Sequence, residues 1–564
     1  MDAGKVIFET VDRLRQRRTG PLVLELDLTE GLTEGPPADP LAALLSMRRP
    51  RLSDVLAGLK RARQDSRVKA LIVKIGGNLG LAMVQELRQA VVQFRASGKL
   101  TVAFAETFGE FGNGTVPYYL ASAFERVYLQ PSGDVGLTGV ALEQRFVKGA
   151  LGKLGVGYEL GQRHEYKTAA NTFTQEHMTE PHRESMTRIV ESVVEQMIAG
   201  IADGRRLDPE KVRELIDRGP FIGSEALEAG LVDGLAYRDE VYDEVKKAGG
   251  ADTHLQFVSR YQRGAAVRKL PHPTAPSIAL VHGNGQIRMG RSGRSPLGGG
   301  GAMGSDTVSA ALRSARRDEH VKAVVFRVDS PGGSYVASDT VWREVVLTRQ
   351  VKPVIVSMGD LAASGGYFVS MGADVIVAQP GTLTGSIGVF GGKPVLSELL
   401  DKIGINSEMV AEGANAGMFS ATRAFSPEEW ERVNAWLDRI YDDFVGKVAE
   451  GRKLTRDRAH ELARGRVWTG ADAHERGLVD ELGGLEDALA IARKRASLPD
   501  GAPVRSYPRL HPLERLRGPE SSEDKAAALA RIRLESWGPL ARLSADLGLP
   551  LAGPLALPSW YRIS

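Results

Sequence analysis

Residues 59–75 read LKRARQDSRVKALIVKI and residues 312–328 read LRSARRDEHVKAVVFRV, with seven of seventeen positions identical. The segment YYLASAFERVYLQP at 118–131 similarly matches YFVSMGADVIVAQP at 367–380. The two pairs keep their order and are offset by nearly the same distance, 253 and 249 residues. Repetition at a constant offset indicates an internal duplication.

A third matching pair lies further along each copy. Residues 204–235 and 451–482 are identical at 13 of 32 positions. We therefore predict a first domain over residues 1–255, a homologous second domain over 276–500, and a tail over 501–564.

Each copy alternates short apolar runs with amphipathic stretches. Runs such as ALIVKI at 70–75 and AVVFRV at 323–328 show no period-two alternation, which is typical of strands buried on both faces. Helical patterns follow at 79–96 and 335–347. Strands that alternate with helices predict βαβ units and an α/β fold.

Composition excludes several classes of function. The 564 residues contain no cysteine, which removes disulfides, thiol nucleophiles and Cys-ligated metal centres. The 73 Lys and Arg nearly balance the 70 Asp and Glu, so the charge of a nucleic-acid-binding protein is absent. No P-loop or HExxH motif is present, and we expect neither a metal nor another cofactor.

The sequence shows no transmembrane segment and no signal peptide. The tail includes an apolar, Leu-rich and proline-broken stretch at 537–560, which either packs on protein or lies on a membrane surface. We therefore expect a protein that is cytoplasmic or peripherally bound to the cytoplasmic membrane.

A serine in the second copy is a candidate nucleophile. Ser364 lies in the stretch AASGGY, where a predicted strand meets a predicted helix and the flanking residues are small. Such a serine either caps the helix or offers its hydroxyl to a substrate. The earlier stretch DSPGGS at 329–334 has the same strand-to-helix context, which leaves backbone N–H groups available for an anion.

The base for that serine comes from comparing the copies, since no histidine stands in a comparable motif. At the 249-residue offset, Ser364 aligns with Thr115, whereas Lys167 of the first copy aligns with Ala416. One copy holds a serine and the other a lysine, which predicts one composite site between them. A lysine base must be neutral near pH 7, so its pKa has to fall by about three units through burial.

The chain resembles the long, two-domain signal peptide peptidases of peptidase family S49. The resemblance covers roughly residues 20–500 and rests on four motifs read together, namely YKTA at 166–169, DSPGG at 329–333, ASGGY at 363–367 and TGSIG at 384–388.

The resemblance implies a ClpP/crotonase-like fold in each half and a Ser–Lys dyad. It assigns Ser364 as the nucleophile and Lys167 as the general base. It further implies that the backbone N–H groups of Gly333 and Gly365 form an oxyanion hole and that Ser386 orients the lysine amine. A homotetramer that degrades signal peptides and other small or unfolded chains is expected on the same basis.

Two other functions remain open from the residues themselves. One is a non-catalytic, membrane-associated scaffold of the same family. The other is a crotonase-type acyl-CoA enzyme, which shares the fold but does not need the pairing of Ser364 with Lys167.

Overall fold

The computed structural model describes residues 20–35, 49–250, 252–268, 274–293, 301–507 and 555–556. Within these ranges, no helix combines the length and the apolar character that crossing a bilayer requires. The tail segments 508–554 and 557–564, where we predicted membrane or protein contact, lie outside the described residues.

Two sets of strands follow one another along the chain. The first set is β1 Leu22–Asp27, β2 Val68–Lys74, β3 Leu100–Ala105, β4 Arg126–Leu129, β5 Asp134–Val135, β6 Gly157–Arg163, β7 Phe221–Ile222, β8 Gly234–Leu235 and β9 His254–Phe257. The second set is β10 Ser277–Asn284, β11 Gln286–Arg288, β12 Ala302–Gly304, β13 Val321–Ser330, β14 Gly332–Gly333, β15 Val354–Ala363, β16 Val375–Ala378, β17 Leu383–Gly385, β18 Val389–Val395, β19 Val467–Thr469, β20 Glu481–Leu482, β21 Val504–Tyr507 and β22 Leu555–Ala556.

Helices alternate with these strands in both halves. Those of the first half are α1 Leu52–Ala62, α2 Leu81–Arg95, α3 Thr115–Ala121, α4 Lys148–Leu154, α5 Asn171–Thr174, α6 Glu180–Arg205, α7 Pro209–Arg218, α8 Gly223–Glu228, α9 Arg238–Gly249 and α10 Val258–Arg268. Those of the second half are α11 Ser305–Arg317, α12 Tyr335–Arg349, α13 Gly365–Ser370, α14 Ser397–Lys402, α15 Pro427–Arg452, α16 Arg456–Leu462, α17 Gly470–Glu475 and α18 Leu485–Arg495.

The two main sheets repeat the same topology. In the first half the strand order is β9-β1-β2-β3-β4-β8, and every neighbouring pair is parallel. In the second half β21-β10-β13-β15-β16-β20 follows the same order, again parallel throughout. Here β15 pairs additionally with β17, which pairs antiparallel with β19. The predicted α/β class and internal duplication are confirmed.

The sequence explains why the long helix α15 begins where it does. Ser426 precedes it and its Oγ accepts a hydrogen bond from the Glu429 backbone N–H at 3.2 Å. The Glu429 carboxylate accepts one from the Ser426 N–H at 2.9 Å, which completes a capping box. Pro427 at the first helical position needs no hydrogen-bond partner for its nitrogen.

The halves share a hydrophobic core, and this positions the site. Leu87 and Val91 of α2 belong to the same buried cluster as Ile355 of β15 and Leu489 of α18. The Asp360 carboxylate of β15 also accepts a hydrogen bond from the backbone N–H of Met83 at 3.0 Å. Burial of apolar surface at this junction holds the first half against the strands that carry the second half's predicted site.

Candidate active site

Ser364 lies at the junction between β15 and α13 and is fully buried. Its φ angle is +56°, a region that non-glycine residues rarely adopt and that costs about 1–3 kcal/mol. Backbone hydrogen bonds hold this conformation, from Ser364 N to Gly385 O at 2.8 Å and from Phe368 N to Ser364 O at 2.9 Å. The strained turn fixes the direction of the Ser364 hydroxyl.

Lys167 reaches the second half because a strand of the first half pairs with it. Strand β6 forms an antiparallel ladder with β18 that extends from Arg163 opposite Val389 to Gly157 opposite Val395. Lys167 follows β6 closely, and its backbone N–H donates to His164 O at 3.1 Å. Sequence reasoning predicted the composite site but missed this ladder.

The backbone of Lys167 packs closely against a glycine of the second half. Gly465 has φ +86°, and a Cβ placed on it would lie 2.3 Å from the Lys167 backbone nitrogen. Any side chain at this position would displace Lys167, so the close approach depends on glycine.

The amine of Lys167 meets three oxygen atoms. Its Nζ lies 2.7 Å from Ser364 Oγ, 2.9 Å from Ser386 O and 2.9 Å from Ser386 Oγ. A neutral amine has two N–H donors and one lone pair, so it can donate to both Ser386 oxygens and accept from Ser364. An ammonium group would lack the lone pair that the serine proton needs.

Burial favours the neutral amine. Lys167 is 1% exposed, and desolvation lowers its pKa from the ordinary 10.5 to about 7. A substantial fraction of Lys167 is therefore uncharged at neutral pH. The site thus combines the proximity and the protonation state that a general base requires.

The backbone of Ser386 is anchored in the second half. It follows β17, is buried, and has φ +51°. Its backbone N–H donates to Arg466 O at 2.7 Å. This hydrogen bond helps to hold both Ser386 oxygens within hydrogen-bond distance of the lysine amine.

The two predicted oxyanion-hole glycines lie side by side. A Cβ placed on Gly365 would lie 3.1 Å from the Gly333 nitrogen and 3.0 Å from the Gly332 Cα. Gly333 has φ +152°, and a Cβ there would lie 2.1 Å from the Ile287 carbonyl oxygen. Side chains would therefore separate the two backbone segments, which meet next to the serine.

Ion pairs surround the stretch that carries the lysine. Tyr166 donates its hydroxyl to Glu184 at 2.7 Å, and Arg466 pairs with the same carboxylate. Arg464 pairs with Glu165. These contacts join residues of the first half to the loop that precedes β19.

A buried cluster of charged side chains lies near the C-terminal end of β13 and was not predicted from the sequence. The Arg327 guanidinium contacts Glu34 at 2.7 Å and Glu86 at 2.6 Å, and it donates to the Met358 carbonyl at 3.0 Å. Burial opposes the charge of Arg327, but the two carboxylates outweigh burial and raise its pKa. The cluster ties the first half to the strand that leads into residues 329–333.

The positions that align with Ser364, Ser386 and Lys167 in the other copy carry neither a serine nor a lysine. Thr115 begins α3 as Gly365 begins α13, and its hydroxyl accepts a hydrogen bond from the Thr138 N–H at 3.2 Å. Leu137, which aligns with Ser386 at the 249-residue offset, is buried in the apolar core. Ala416, the counterpart of Lys167, lies in an exposed loop of the second half.

Comparison with known proteins supports a common origin with peptidases. The sequence model of Peptidase family S49 matches residues 93–252 and 347–499. The chain is 34% identical over 461 residues to the chloroplastic serine protease SPPA of Arabidopsis thaliana, covering 80% of this chain and 66% of that protein. It is also 34% identical to Protease 4 of Salmonella typhi, covering 79% and 72%, and 31% identical to Protease 4 of Haemophilus influenzae, covering 78% and 72%.

Solved structures match more distantly. A mutant of ClpP1 from Listeria monocytogenes matches with 16% identity and a TM-score of 0.24, covering 37% of this chain and 94% of that chain. A mutant of the 1510-N membrane-bound stomatin-specific protease matches with 15% identity and a TM-score of 0.27, covering 42% and 99%.

The family match and the named relatives define the class of protein as a serine peptidase. The chain belongs to peptidase family S49, and two separate segments of it match the family, as expected for a tandem duplication. The chain spans 66% to 72% of the length of the three relatives named above.

Proposed function

We propose that this protein is a peptidase with a Ser–Lys dyad, in which Ser364 is the nucleophile and Lys167 is the general base. The observation that carries the proposal is the 2.7 Å distance between Lys167 Nζ and Ser364 Oγ, with both groups buried. The lysine comes from the first proposed domain, residues 1–255, and the serine from the second, residues 276–500. The tail, residues 501–564, completes the proposed division.

Acylation begins when the lone pair of neutral Lys167 takes the hydroxyl proton of Ser364. Oγ bonds to the substrate carbonyl carbon, and the negative charge moves to the carbonyl oxygen. The backbone N–H groups of Gly333 and Gly365 stabilise this oxyanion, each contributing about 3 kcal/mol. The C–N bond then breaks, and the lysine ammonium gives its proton to the leaving amine.

Deacylation repeats the sequence with water. Lys167 removes a proton from a water molecule, whose oxygen adds to the ester carbon. The bond to Ser364 Oγ then breaks, and the proton on the lysine returns to the serine hydroxyl. Ser386 acts as a positioning residue, because its two oxygens accept from the amine and direct the lone pair toward Ser364.

The burial of the dyad restricts the substrate. Since Ser364 is fully buried, a folded protein cannot bring a peptide bond to its hydroxyl, whereas an extended segment exposes its main chain and can approach as a single strand. This supports signal peptides and other small or unfolded polypeptides as substrates. An apolar peptide that is cleaved when free and resistant when embedded in a stable folded domain would agree with this restriction.

We also propose that the protein assembles as a homotetramer. An exposed aromatic pair supports association, because Phe419 and Trp436 are each more than half exposed with ring centroids 6.1 Å apart. Sedimentation velocity of the wild type and of Trp436→Glu at micromolar concentration tests this assignment. A wild type that stays monomeric at micromolar concentration would contradict it.

A fluorogenic peptide assay tests the dyad. We expect Ser364→Ala and Lys167→Met each to lower kcat/KM by about 10³-fold or more. The matched controls are Ser370→Ala, a buried serine on α13 that donates to Gly366 O, and Lys393→Met, a buried lysine that donates to two backbone carbonyls. Wild-type activity in either dyad variant, or equal losses in the controls, would refute the proposal and favour a scaffold.

A further inference from the structure

The ladder between β13 and β15 changes register close to the candidate active site. Val328 lies opposite Met358, whereas Ser330 lies opposite Ala362. One residue of β13 therefore faces three residues of β15, which makes a large β-bulge in β15. A bulge bends its strand and redirects the residues that follow it. Because β15 leads directly into Ser364, this bulge determines where the proposed nucleophile stands.

The side chain of Asp329 occupies the bulge. Its Oδ1 accepts a hydrogen bond from the backbone N–H of Leu361 at 3.0 Å. Its backbone carbonyl accepts another from the N–H of Gly285 at 2.8 Å, which ties the same residue to the turn after β10. A Cβ placed on Gly359 would lie 2.9 Å from the Asp329 Cβ, so the space beside this side chain is already filled. The Asp329 carboxyl group thus satisfies a backbone N–H inside the register shift, where a ladder carbonyl would otherwise serve.

The bulge is also held by the first half. The carboxylate of Asp360 accepts a hydrogen bond from the Met83 N–H, at the start of α2, at 3.0 Å. A Cβ placed on Gly80 would lie 2.0 Å from Asp360 Oδ2, so this contact depends on glycine. Two consecutive residues of β15 are therefore bound by two different elements, Asp360 by α2 and Leu361 by the side chain from β13.

The first copy lacks this arrangement. At the 253-residue offset, Asp329 aligns with Gly76, which has no side chain to accept a hydrogen bond. The corresponding ladder, between β2 and β3, keeps one register along its five residue pairs. The carboxyl group and the register shift therefore occur together in the copy that carries Ser364.

The surroundings of Asp329 favour a neutral carboxyl group. Burial raises its pKa, and the nearby carboxylates of Glu34 and Asp360 raise it further, against the opposing effect of Arg327. A neutral carboxyl group still accepts from the Leu361 N–H through its carbonyl oxygen. An asparagine amide has nearly the same shape and offers the same acceptor, so asparagine should replace this aspartate.

We propose that Asp329 is a positioning residue of the peptidase, which holds the Leu361 N–H in the bulge and thereby fixes Ser364 against the oxyanion-hole strand β14. This inference rests on the proposed function, since the reaction needs the serine and the oxyanion-hole N–H groups at one substrate carbonyl. The hydrogen bond joins positions that stand four residues before Gly333 and three before Ser364. Its loss displaces the reacting groups, and a displacement of about 1 Å costs about 10²-fold in rate.

The full-length variants Asp329→Ala and Asp329→Asn test this role in the fluorogenic peptide assay. We expect kcat to fall at least about tenfold in Asp329→Ala while KM stays within about twofold, because the lost alignment matters in the transition state. Asp329→Asn keeps the acceptor and should restore kcat to within about threefold of the wild type. A wild-type kcat in the alanine variant, or an equal loss in both variants, would overturn the proposal.

Asp374 offers a matched control on the same strand. Its carboxylate accepts a hydrogen bond from the Val354 N–H at 2.8 Å, at the end of β15 that is remote from Ser364. Asp374→Ala should lower the free energy of unfolding in urea and leave kcat unchanged. A fall in kcat as large as that in Asp329→Ala would show that any loosening of β15 suffices, and the positioning role would be wrong.

A second variant covers the case in which Asp329→Ala does not fold. Gly359→Ala adds a methyl group 2.9 Å from the Asp329 Cβ, which displaces that side chain without removing its acceptor. It should lower kcat at least about threefold with KM unchanged, and an unchanged kcat would refute the positioning role.

The activity of Ser364→Ala separates this inference from the proposed function. Wild-type activity in Ser364→Ala would refute the dyad itself. An inactive Ser364→Ala protein together with a wild-type kcat in Asp329→Ala would leave the dyad in place and refute only the role of Asp329.

Discussion

Replacing Lys167 by methionine should remove a specific pH dependence from the stability of the folded protein. Burial lowers the pKa of Lys167 from 10.5 to about 7. A fall of the pKa from 10.5 to about 7 corresponds to about 5 kcal/mol of free energy that disfavours the charged amine in the folded state. Methionine has a similar length and no titrating group, so it isolates this contribution.

Proton binding determines whether the free energy of unfolding rises or falls with pH. Between pH 7 and 10.5 the unfolded lysine is protonated and the folded one is not, so the free energy of unfolding rises with pH. The stabilising contribution is complete above the unfolded pKa and is lost as the pH falls to the folded value. From pH 7.5 to 9.5 the wild type should gain about 2–3 kcal/mol relative to Lys167→Met.

Urea denaturation of both proteins at closely spaced pH values measures this difference. The substitution also removes the hydrogen bonds of the amine, but that loss shifts the difference by a constant and leaves its slope unchanged. Lys211→Met, which replaces a half-exposed lysine, is the matched control. A difference between wild type and Lys167→Met that stays constant within about 0.5 kcal/mol would refute a depressed pKa.

Three further substitutions probe the surroundings of the dyad. Ser386→Ala removes one of the hydrogen-bond partners of Lys167 and should lower kcat about tenfold in steady-state kinetics, with little change in KM. An unchanged kcat would exclude a positioning role for Ser386. Gly465→Ala forces the lysine backbone to move and should lower kcat/KM about a hundredfold. The control Gly477→Ala, at a similar φ of +76° in open space, should keep wild-type activity. Equal kinetics of the two variants would contradict the steric argument. Arg327→Met leaves two carboxylates without their counter-charge and should lower the free energy of unfolding by about 3–5 kcal/mol, measured with denaturant. Loss of the exposed ion pair in Arg458→Met should lower it by under about 1 kcal/mol. Similar losses in the two variants would show that the Arg327 ion pairs are not important for stability.

The duplication made the fold predictable from the sequence. Residues 59–75 and 312–328 cover the end of a helix and the strand that follows it, so their match carries the α/β pattern into both halves. The reciprocal loss at two aligned positions also pointed to Ser364 and Lys167, which the structure brings within hydrogen-bond distance. Local patterns of this kind survive in a sequence because they arise from short-range spacing.

Long-range contacts could not be predicted in this way. The ladder between β6 and β18 joins residues more than 200 positions apart, and no alternation in GYELGQR marks its partner. The pairing of Arg327 with Glu34 and Glu86 likewise depends on how the halves pack. The pairing of β22 with β14 could not be predicted either, because a strand of two residues is too short to show a pattern in the sequence.

The reaction of Ser364 with a fluorophosphonate would show whether Lys167 activates the serine, because the reagent bonds to an activated serine oxygen and releases fluoride. Mass spectrometry of the digested protein would locate the label, and its rate of formation would be followed from pH 5.5 to 9. We expect labelling on Ser364, with a rate that rises along one titration centred near pH 7 as the lysine loses its proton. In Lys167→Met this rate should fall to the level of an unactivated serine. Labelling of another residue, or an undiminished rate on Ser364 in Lys167→Met, would contradict it.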